Sequence, residues 1–518
     1  MMYHFLKPPV IVHRAVIVMS KIRNPKIAHP IGVFFIGLLM AQVLATIQVY
    51  ASNFNLYSKL TAINAAGYFI VPNQHVMGRL KEFAPAFYGG LFFTFSFGAG
   101  ITLFTMAAVW LGYLIPQIKK GTFYSLLSLW LGFLVLVNID GMNIFPTMYL
   151  LLIPPLVFRL MATRFFPKKQ TATQWHRIIN LLPVPLLALL WAPQFDGSLF
   201  LDLRDHLLLS NPLGKKFTRF YYTYTLYPAE SFKSLNQKLL RTCRITGVKD
   251  GNLHQLLERE LLDHDYLPIK AIGNLELSLS QKDDTLVFAN RNCEYVRSSV
   301  SDFLKDSKKL LINYALQNDP NRILRQLTFF GLLAGFPIAI FIVFHGVIYY
   351  AFNIISDAKT STIIASIVCF LLGFIVLVYF QASRSSQIEI RDITQALQSV
   401  RWQDRVAALK IITANKLEIS NYPGYRFLLK SDCVQERYWL VKALGVSRTH
   451  PTYLDLLGFL DDPSPNVLSM SFNSLGRRNN PQAIPMILDK LHTSSDWYSQ
   501  VYAYKALRSL GWKQTRSK

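Results

Sequence analysis

The sequence predicts a mainly α-helical, polytopic membrane protein of about seven spans, with a small α+β soluble domain and a C-terminal α-solenoid. Three observations predict this class. Stretches near 31–50, 86–115, 122–138, 144–161, 178–194, 327–351 and 361–380 are apolar and almost free of ionisable residues. The composition, 52% apolar, 14% aromatic and 16% charged, lies on the membrane side of the ordinary globular range. The last part of the chain repeats itself with a period of roughly thirty residues, the mark of stacked helix pairs.

Crossing a hydrocarbon core of about 30 Å takes about 20 helical residues. The third and fifth stretches are short by that measure. Ile178–Gln194 also carries Pro183 and Pro185, whose missing amide donors and fixed φ kink a helix, so a re-entrant segment is its rival reading. The resulting plan is a basic leader over 1–30, spans one to five over 31–194, the α+β domain over 195–325, spans six and seven over 326–382, and the solenoid over 388–518.

The formal charge of +24 matters here through its placement. Residues 1–30 hold Lys7, Arg14, Lys21, Arg23 and Lys26 without an acid, and Arg159, Arg164, Lys168, Lys169 and Arg177 follow the fourth stretch in the same way. Basic loops stay on the cytoplasmic side. The N-terminus is therefore expected inside, with 195–325 and the C-terminal domain outside, in the periplasm of a bacterial inner membrane. No basic stripe with interleaved aromatics marks the soluble parts, so lipid rather than nucleic acid is the partner the excess charge implies.

In the middle domain, helical patterning covers 215–227, 230–242, 253–264 and 299–317, and Leu275–Ser280 and Thr285–Ala289 flank Gln281-Lys282-Asp283-Asp284 as a hairpin. The last helix is expected to run through Asn321–Gln326 into span six. Cys243 and Cys293 share this domain and could form a disulfide in an oxidising compartment. No CxxC, CxxCH, P-loop, GxSxG, HExxH or GxGxxG strand–helix turn occurs, so no metal or cofactor is expected.

In the tail, Arg401–Ile412, Val434–Gly445, Asn466–Gly476 and Val501–Gly511 read as first helices. The last three end in Leu444-Gly445, Leu475-Gly476 and Leu510-Gly511, 31 and 35 residues apart. Between them Tyr453, Leu456, Leu457 and Leu460, then Ile484, Ile487, Leu488 and Leu491, each form one apolar stripe. One helix pair cannot hide such a stripe from water; stacked neighbours can. Asp461-Asp462-Pro463-Ser464-Pro465-Asn466-Val467 followed by Asn473-Ser474-Leu475-Gly476 resembles a short bacterial HEAT repeat, as do Asp432–Gly445 and Asp496–Gly511 more loosely. The resemblance covers about 391–512 and implies a surface for docking a partner protein. The first unit departs from it, with Ile411-Ile412-Thr413 in place of Leu-Gly.

Few residues are candidates for chemistry. Asp202, Arg204, Asp205 and His206 follow the fifth stretch; an Asp–His pair can do acid–base work, whereas the plain reading is a helix start with local ion pairs. Phe217, Phe220, Tyr221, Tyr222 and Tyr224, fronted by Lys215, Lys216 and Arg219, read as an anchor at the lipid–water interface. His345 is ionisable near the middle of a span; alone, it reads as a hydrogen bond to a neighbouring helix rather than a haem ligand or relay. Two functions follow as expectations. One is a membrane scaffold or assembly factor that docks a partner through the solenoid, in envelope biogenesis or transport. The other is a transferase for a lipid-linked substrate, with Asp202, Asp205 and His206 converging with His75 or Arg79.

Overall fold

The computed structural model of the chain describes residues 30–114, 119–165, 182–270, 275–290, 293–384 and 388–516. The basic leader and the charges Lys168, Lys169 and Arg177 lie outside the described residues. Among the described residues the protein is mainly helical (74%) with one five-stranded sheet, and the chain divides into two compact units.

The first unit takes in residues up to Ala45, Phe93–Phe195 and Ile323–Val378. Among the described residues of the whole chain, five helices are long and apolar enough to cross a membrane: Ile31–Ala65, Phe83–Gly112, Ile144–Thr163, Arg322–Asn353 and Ala358–Ser383. A sixth is added when the broken pair Pro183–Gln194 and Leu199–Leu208 counts as one span. The expected third span is the shorter apolar helix Tyr124–Val137, and the regular helix within the expected fifth is only Pro183–Trp191. The Ile144–Phe165 helix continues through Pro154 and Pro155. Along Pro30–Ala65, Leu39 and Val43 point outward while Leu38, Ala41 and Ala45 are buried. An apolar stripe left exposed in this way suits lipid and would be a liability in water.

Lipid gives apolar helices no reason to prefer one another, so close backbone approach has to hold the bundle. Two π-helical turns, Thr94–Gly98 and Gly331–Gly335, meet there. A Cβ on Gly331 would stand 2.4 Å from the Ser96 carbonyl oxygen, and one on Gly98 would stand 2.4 Å from the Ala41 Cβ. Only glycine fits either place. Polar groups in the unit find partners inside it: Thr94 Oγ1 donates to Gln42 Oε1 at 2.6 Å, and Trp130 Nε1 to the Leu150 carbonyl at 2.7 Å. His345 Nε2 lies 3.2 Å from Ser366 Oγ, joining the last two long helices.

The second unit takes in Thr46–Phe92, Asp196–Arg322 and Tyr379 onward. Its sheet comprises β1 (Arg241–Thr246), β2 (Tyr266–Pro268), β3 (Leu277–Lys282), β4 (Thr285–Asn290) and β5 (Cys293–Ser299), in the order β2-β1-β3-β4-β5. β1 runs parallel to β2 and β3, while β3–β4 and β4–β5 are antiparallel. The expected hairpin is β3–β4, turning at Asp283, whose φ of 54° a short polar side chain tolerates. Helix Gly251–Asp263 packs Leu257 and Leu261 onto Leu277, Leu279, Leu286 and Phe288, with Phe303 and Tyr314 from the following helices.

Three expectations for this domain change. Residues 230–242 do not make a helix; a short turn, Leu235–Gln237, leads into β1. The helix before span six ends at Gln317 and a new one starts at Arg322, so no continuous rod joins them. Cys243 is buried in β1, and Cys293 is exposed in β5, both as free thiols. Two strands separate theirs, so they stand about 14 Å apart at about 4.8 Å per strand, beyond the reach of a disulfide.

The tail contains Trp402–Ala414, Val434–Val446, Pro465–Arg478 and Trp497–Ser509, each within a few residues of an expected first helix. Each packs on the next. Second segments run over Pro423–Lys430, His450–Gly458 and Ile484–Thr493. The Leu-Gly endings have a packing reason: Leu444 and Leu475 are fully buried, and a Cβ on Gly445 would stand 2.6 Å from Ser474 Oγ, one on Gly476 2.5 Å from Ser509 Oγ. Arg405 and Arg437 play equivalent parts. Arg405 donates to the Val400 carbonyl at 3.0 Å and to Glu436, and Arg437 to the Ser431 carbonyl at 2.5 Å and to Asp462 at 2.7 Å. Each arginine thus ties the loop before its helix to an acid of the next unit.

Candidate functional site

The four polar residues after the fifth apolar stretch sit where a helix widens. Leu199–Leu203 is α-helical, and Arg204–Leu208 is a π turn closed by Leu209 N donating to the Arg204 carbonyl at 2.8 Å. Asp202, Arg204, Asp205 and His206 are all buried. Burial of charge is stable only with close partners. Each carboxylate has them. Asp202 accepts from Ser198 Oγ and Arg384 Nη2 at 2.8 Å each, and from Lys410 Nζ at 3.0 Å. Asp205 accepts from Arg204 Nε on one oxygen and from Trp439 Nε1 on the other, both at 2.8 Å.

The partners come from the tail by helical periodicity. Gln435 and Trp439 are four residues apart on Val434–Val446, so they share a face. Gln435 Nε2 donates to the Asp205 carbonyl at 2.8 Å while Tyr438 stacks under the Arg204 guanidinium at 3.8 Å. His206 turns away from Asp205 and packs on Trp402, ring centres 5.3 Å apart, and on Phe380 at 6.4 Å. Its Nδ1 is buried and has no hydrogen-bond partner among the described residues. Neighbours on one helical turn diverge, so Asp205 and His206 form no acid–base dyad. Nor do the two aspartates meet His75 or Arg79: their partners are residues of their own segment, Arg384 and the tail.

The tail grips three further segments of its own unit. Asn73 donates through Nδ2 to the carbonyls of Leu491, His492 and Ser494 at 3.0, 3.1 and 2.9 Å, satisfying acceptors that the end of Ile484–Thr493 leaves open. Gln500 Oε1 accepts from Asn73 N at 2.9 Å. Tyr504 donates to Asp265 Oδ1 at 2.5 Å, and Arg508 Nη2 to the Asp263 carbonyl at 2.7 Å. The aromatic crowd expected at the membrane interface divides. Phe217 and Tyr221 are exposed, while Tyr222 packs on Tyr498 at 4.6 Å, and Phe220 and Tyr224 pack on Tyr88 at 5.6 and 4.9 Å. Burial pushes the Tyr222 hydroxyl up to about 12 against the pull of Arg204.

A second buried ion group lies at the sheet. Glu276 accepts from Lys59 Nζ at 3.0 Å, Lys238 Nζ at 2.7 Å and Thr242 N at 2.9 Å. Burial raises its carboxyl, yet Lys59 and Lys238 outweigh burial and hold it at about 2.

Sequence reasoning located the Asp202–His206 cluster but not its partners. Gln435 and Trp439 lie within Val434–Gly445, which the sequence marks only as a first helix of the tail, and Asn73 belongs to the connection after the first apolar stretch, so no local pattern pairs either with Asp205 or with the end of Ile484–Thr493. Comparison of the chain with protein-family models, with curated proteins and with solved structures finds no match.

Proposed function

We propose that the chain is a membrane-anchored scaffold or assembly factor whose tail is a HEAT-like solenoid. One row of that solenoid is held by the chain's own domain, and the other is offered to a partner protein. The observation that carries this reading is a periodic exposure. Phe427, Leu454 and Met486, one from each successive second segment, are 83%, 55% and 42% exposed, although large apolar side chains in the first helices of the same units are buried. Repetition of one exposed apolar residue per unit makes a row fitted to an apolar stripe of matching spacing. The acid–base alternative loses its basis, because Asp202 and Asp205 are occupied as the clamp that holds the tail.

The common side of the soluble parts supports the expected topology. Thr46–Phe92, Asp196–Arg322 and the tail belong to one compact unit, which requires an even number of crossings between residues 82 and 196. Phe83–Gly112 and Ile144–Thr163 supply two crossings, and Lys119–Val137 with the Pro183 segment brings the number to four. Four crossings keep Lys119, Lys120, Arg164, Lys168, Lys169 and Arg177 inside and this unit outside, in the periplasm of a bacterial inner membrane, whereas two would carry the last four of those charges outside with it, so the basic loops favour four.

The test is co-purification of the full chain from mild detergent, comparing wild type with Phe427→Asp, Leu454→Asp and Met486→Asp. A partner lost in all three but retained by Lys416→Gln supports the reading. Partners identical in every sample overturn it.

A further inference from the structure

Cations of the second unit gather round Tyr438 and Trp439, and the acids do not cover all of them: Arg204 pairs with Asp205 and Lys410 with Asp202, while Lys442 and its neighbour Arg477, on the adjoining helix Pro465–Arg478, have no acid of their own. Lys442 Nζ lies 3.9 Å from the Trp439 ring and 5.8 Å from the Tyr438 ring, with Lys410 Nζ 5.0 Å from the same tryptophan and the Arg204 guanidinium 3.8 Å from the same tyrosine. The acid facing Lys442, Asp205, is already taken by Arg204 and Trp439. Phenol groups continue the surface. Tyr222 meets Tyr498 at 4.6 Å, the hydroxyls of Tyr498 and Tyr502 are 3.3 Å apart, and Lys505 Nζ sits 5.7 Å from the Tyr502 ring. Among the described residues, Lys442, Arg477 and Lys505 form no ion pair.

We propose that this surface binds a phosphate-bearing anion, held by Lys442 and Arg477 and by hydroxyl donors of the adjoining tyrosines. Neighbouring like charges on a partly dry, aromatic floor repel one another, and an anion with several acceptor oxygens relieves that repulsion while accepting the free donors. The strain already shows in Lys442, whose ammonium is driven down to about 8 by burial first and then by Arg477 and Arg204. Phosphate suits the site better than carboxylate because three or four oxygens can meet an ammonium, a guanidinium and phenols at once. The site lies apart from the Phe427–Met486 row and stands whether or not a protein docks there.

Full-length protein in a neutral detergent, labelled by an amine-reactive acylating reagent at pH 8 and read lysine by lysine by mass spectrometry, tests the proposal. Two probes separate the sources: glycerol phosphate, and phosphatidylglycerol carried in mixed micelles. At least five-fold protection of Lys442 by glycerol phosphate identifies a soluble ligand; protection by phosphatidylglycerol alone identifies a lipid headgroup. Both outcomes support the site, and protection by neither overturns it. Binding of the effective probe, followed by isothermal titration, should weaken at least ten-fold in Lys442→Gln and in Arg477→Gln and recover in Lys442→Arg. Equal affinity in all variants also overturns the proposal, and Lys416→Gln, with its own melting curve, reports on folding.

Discussion

Replacing Trp439 by Phe removes the indole donor from Asp205 and keeps most of the ring. The lost bond, 2.8 Å long, runs to a fully buried carboxylate, for which a hydrogen bond contributes about 1.5–3 kcal/mol. Asp205 retains Arg204 on its other oxygen, so the change loosens the tail rather than exposing a bare charge. Since about 1.4 kcal/mol is a factor of ten, backbone amides of Val434–Val446 should exchange about ten to about 150 times faster, measured by hydrogen–deuterium exchange on the detergent-purified full chain. Trp→Phe also costs packing. A double-mutant cycle with Asp205→Ala, which takes away the acceptor, removes that contribution, because packing is lost equally in both backgrounds. A coupling below about 0.5 kcal/mol between the two positions, outside the range expected for such a bond, would refute the view that this contact clamps the tail.

Glu276, held at about 2 against an ordinary value of 4.5, contributes stability that is complete above about pH 4.5 and disappears as pH falls from there towards 2. A carboxyl held that far down contributes on the order of 3 kcal/mol, so the melting temperature should drop over that window in wild type and follow a flatter pH profile in Glu276→Gln, which starts from a lower value at pH 7. Gly445→Ala should destabilise the tail by about 1–3 kcal/mol, because its Cβ would stand 2.6 Å from Ser474 Oγ, whereas Gly458→Ala, with open space around it, should be neutral or gain up to about 1 kcal/mol in thermal melts. Cysteines placed at Val400, which is 96% exposed, and at Lys282 in the sheet domain should react with an impermeant maleimide from the same side of sealed membrane vesicles; labelling from opposite sides would contradict the common-side topology.

The tail was the most legible part of the sequence because its signals are local. A stripe at every third and fourth residue forms a helix whatever surrounds it, and Leu444-Gly445 records a close approach that any neighbouring unit would impose. The membrane helices were legible by length and composition, less so where proline or shortness interfered, as at Pro183 and Tyr124–Val137. β1, β2 and β5 escaped notice because their sequences lack alternation. Arg241–Thr246 reads Arg-Thr-Cys-Arg-Ile-Thr, and its strand character comes from pairing with β2 and β3, which lie 20 and more residues downstream. The clamp had the same difficulty in stronger form. Asp205 and Trp439 are 234 positions apart, and nothing in either neighbourhood names the other.

The facing π turns at Thr94–Gly98 and Gly331–Gly335 carry a consequence for how the bundle tolerates change. A π turn takes one residue more into a single turn than an α-helix does, so it absorbs that residue locally and the helix on either side keeps its angular phase. Deleting one residue within either wide turn would restore regular geometry and leave the far side facing as before, whereas the same deletion in the regular part of the helix would turn everything beyond it by about 100° and swing Gly98 off Ala41 or Gly331 off Ser96. These two wide turns are therefore the places where the bundle can lose a residue and stay in step, like the slack link in a chain drive.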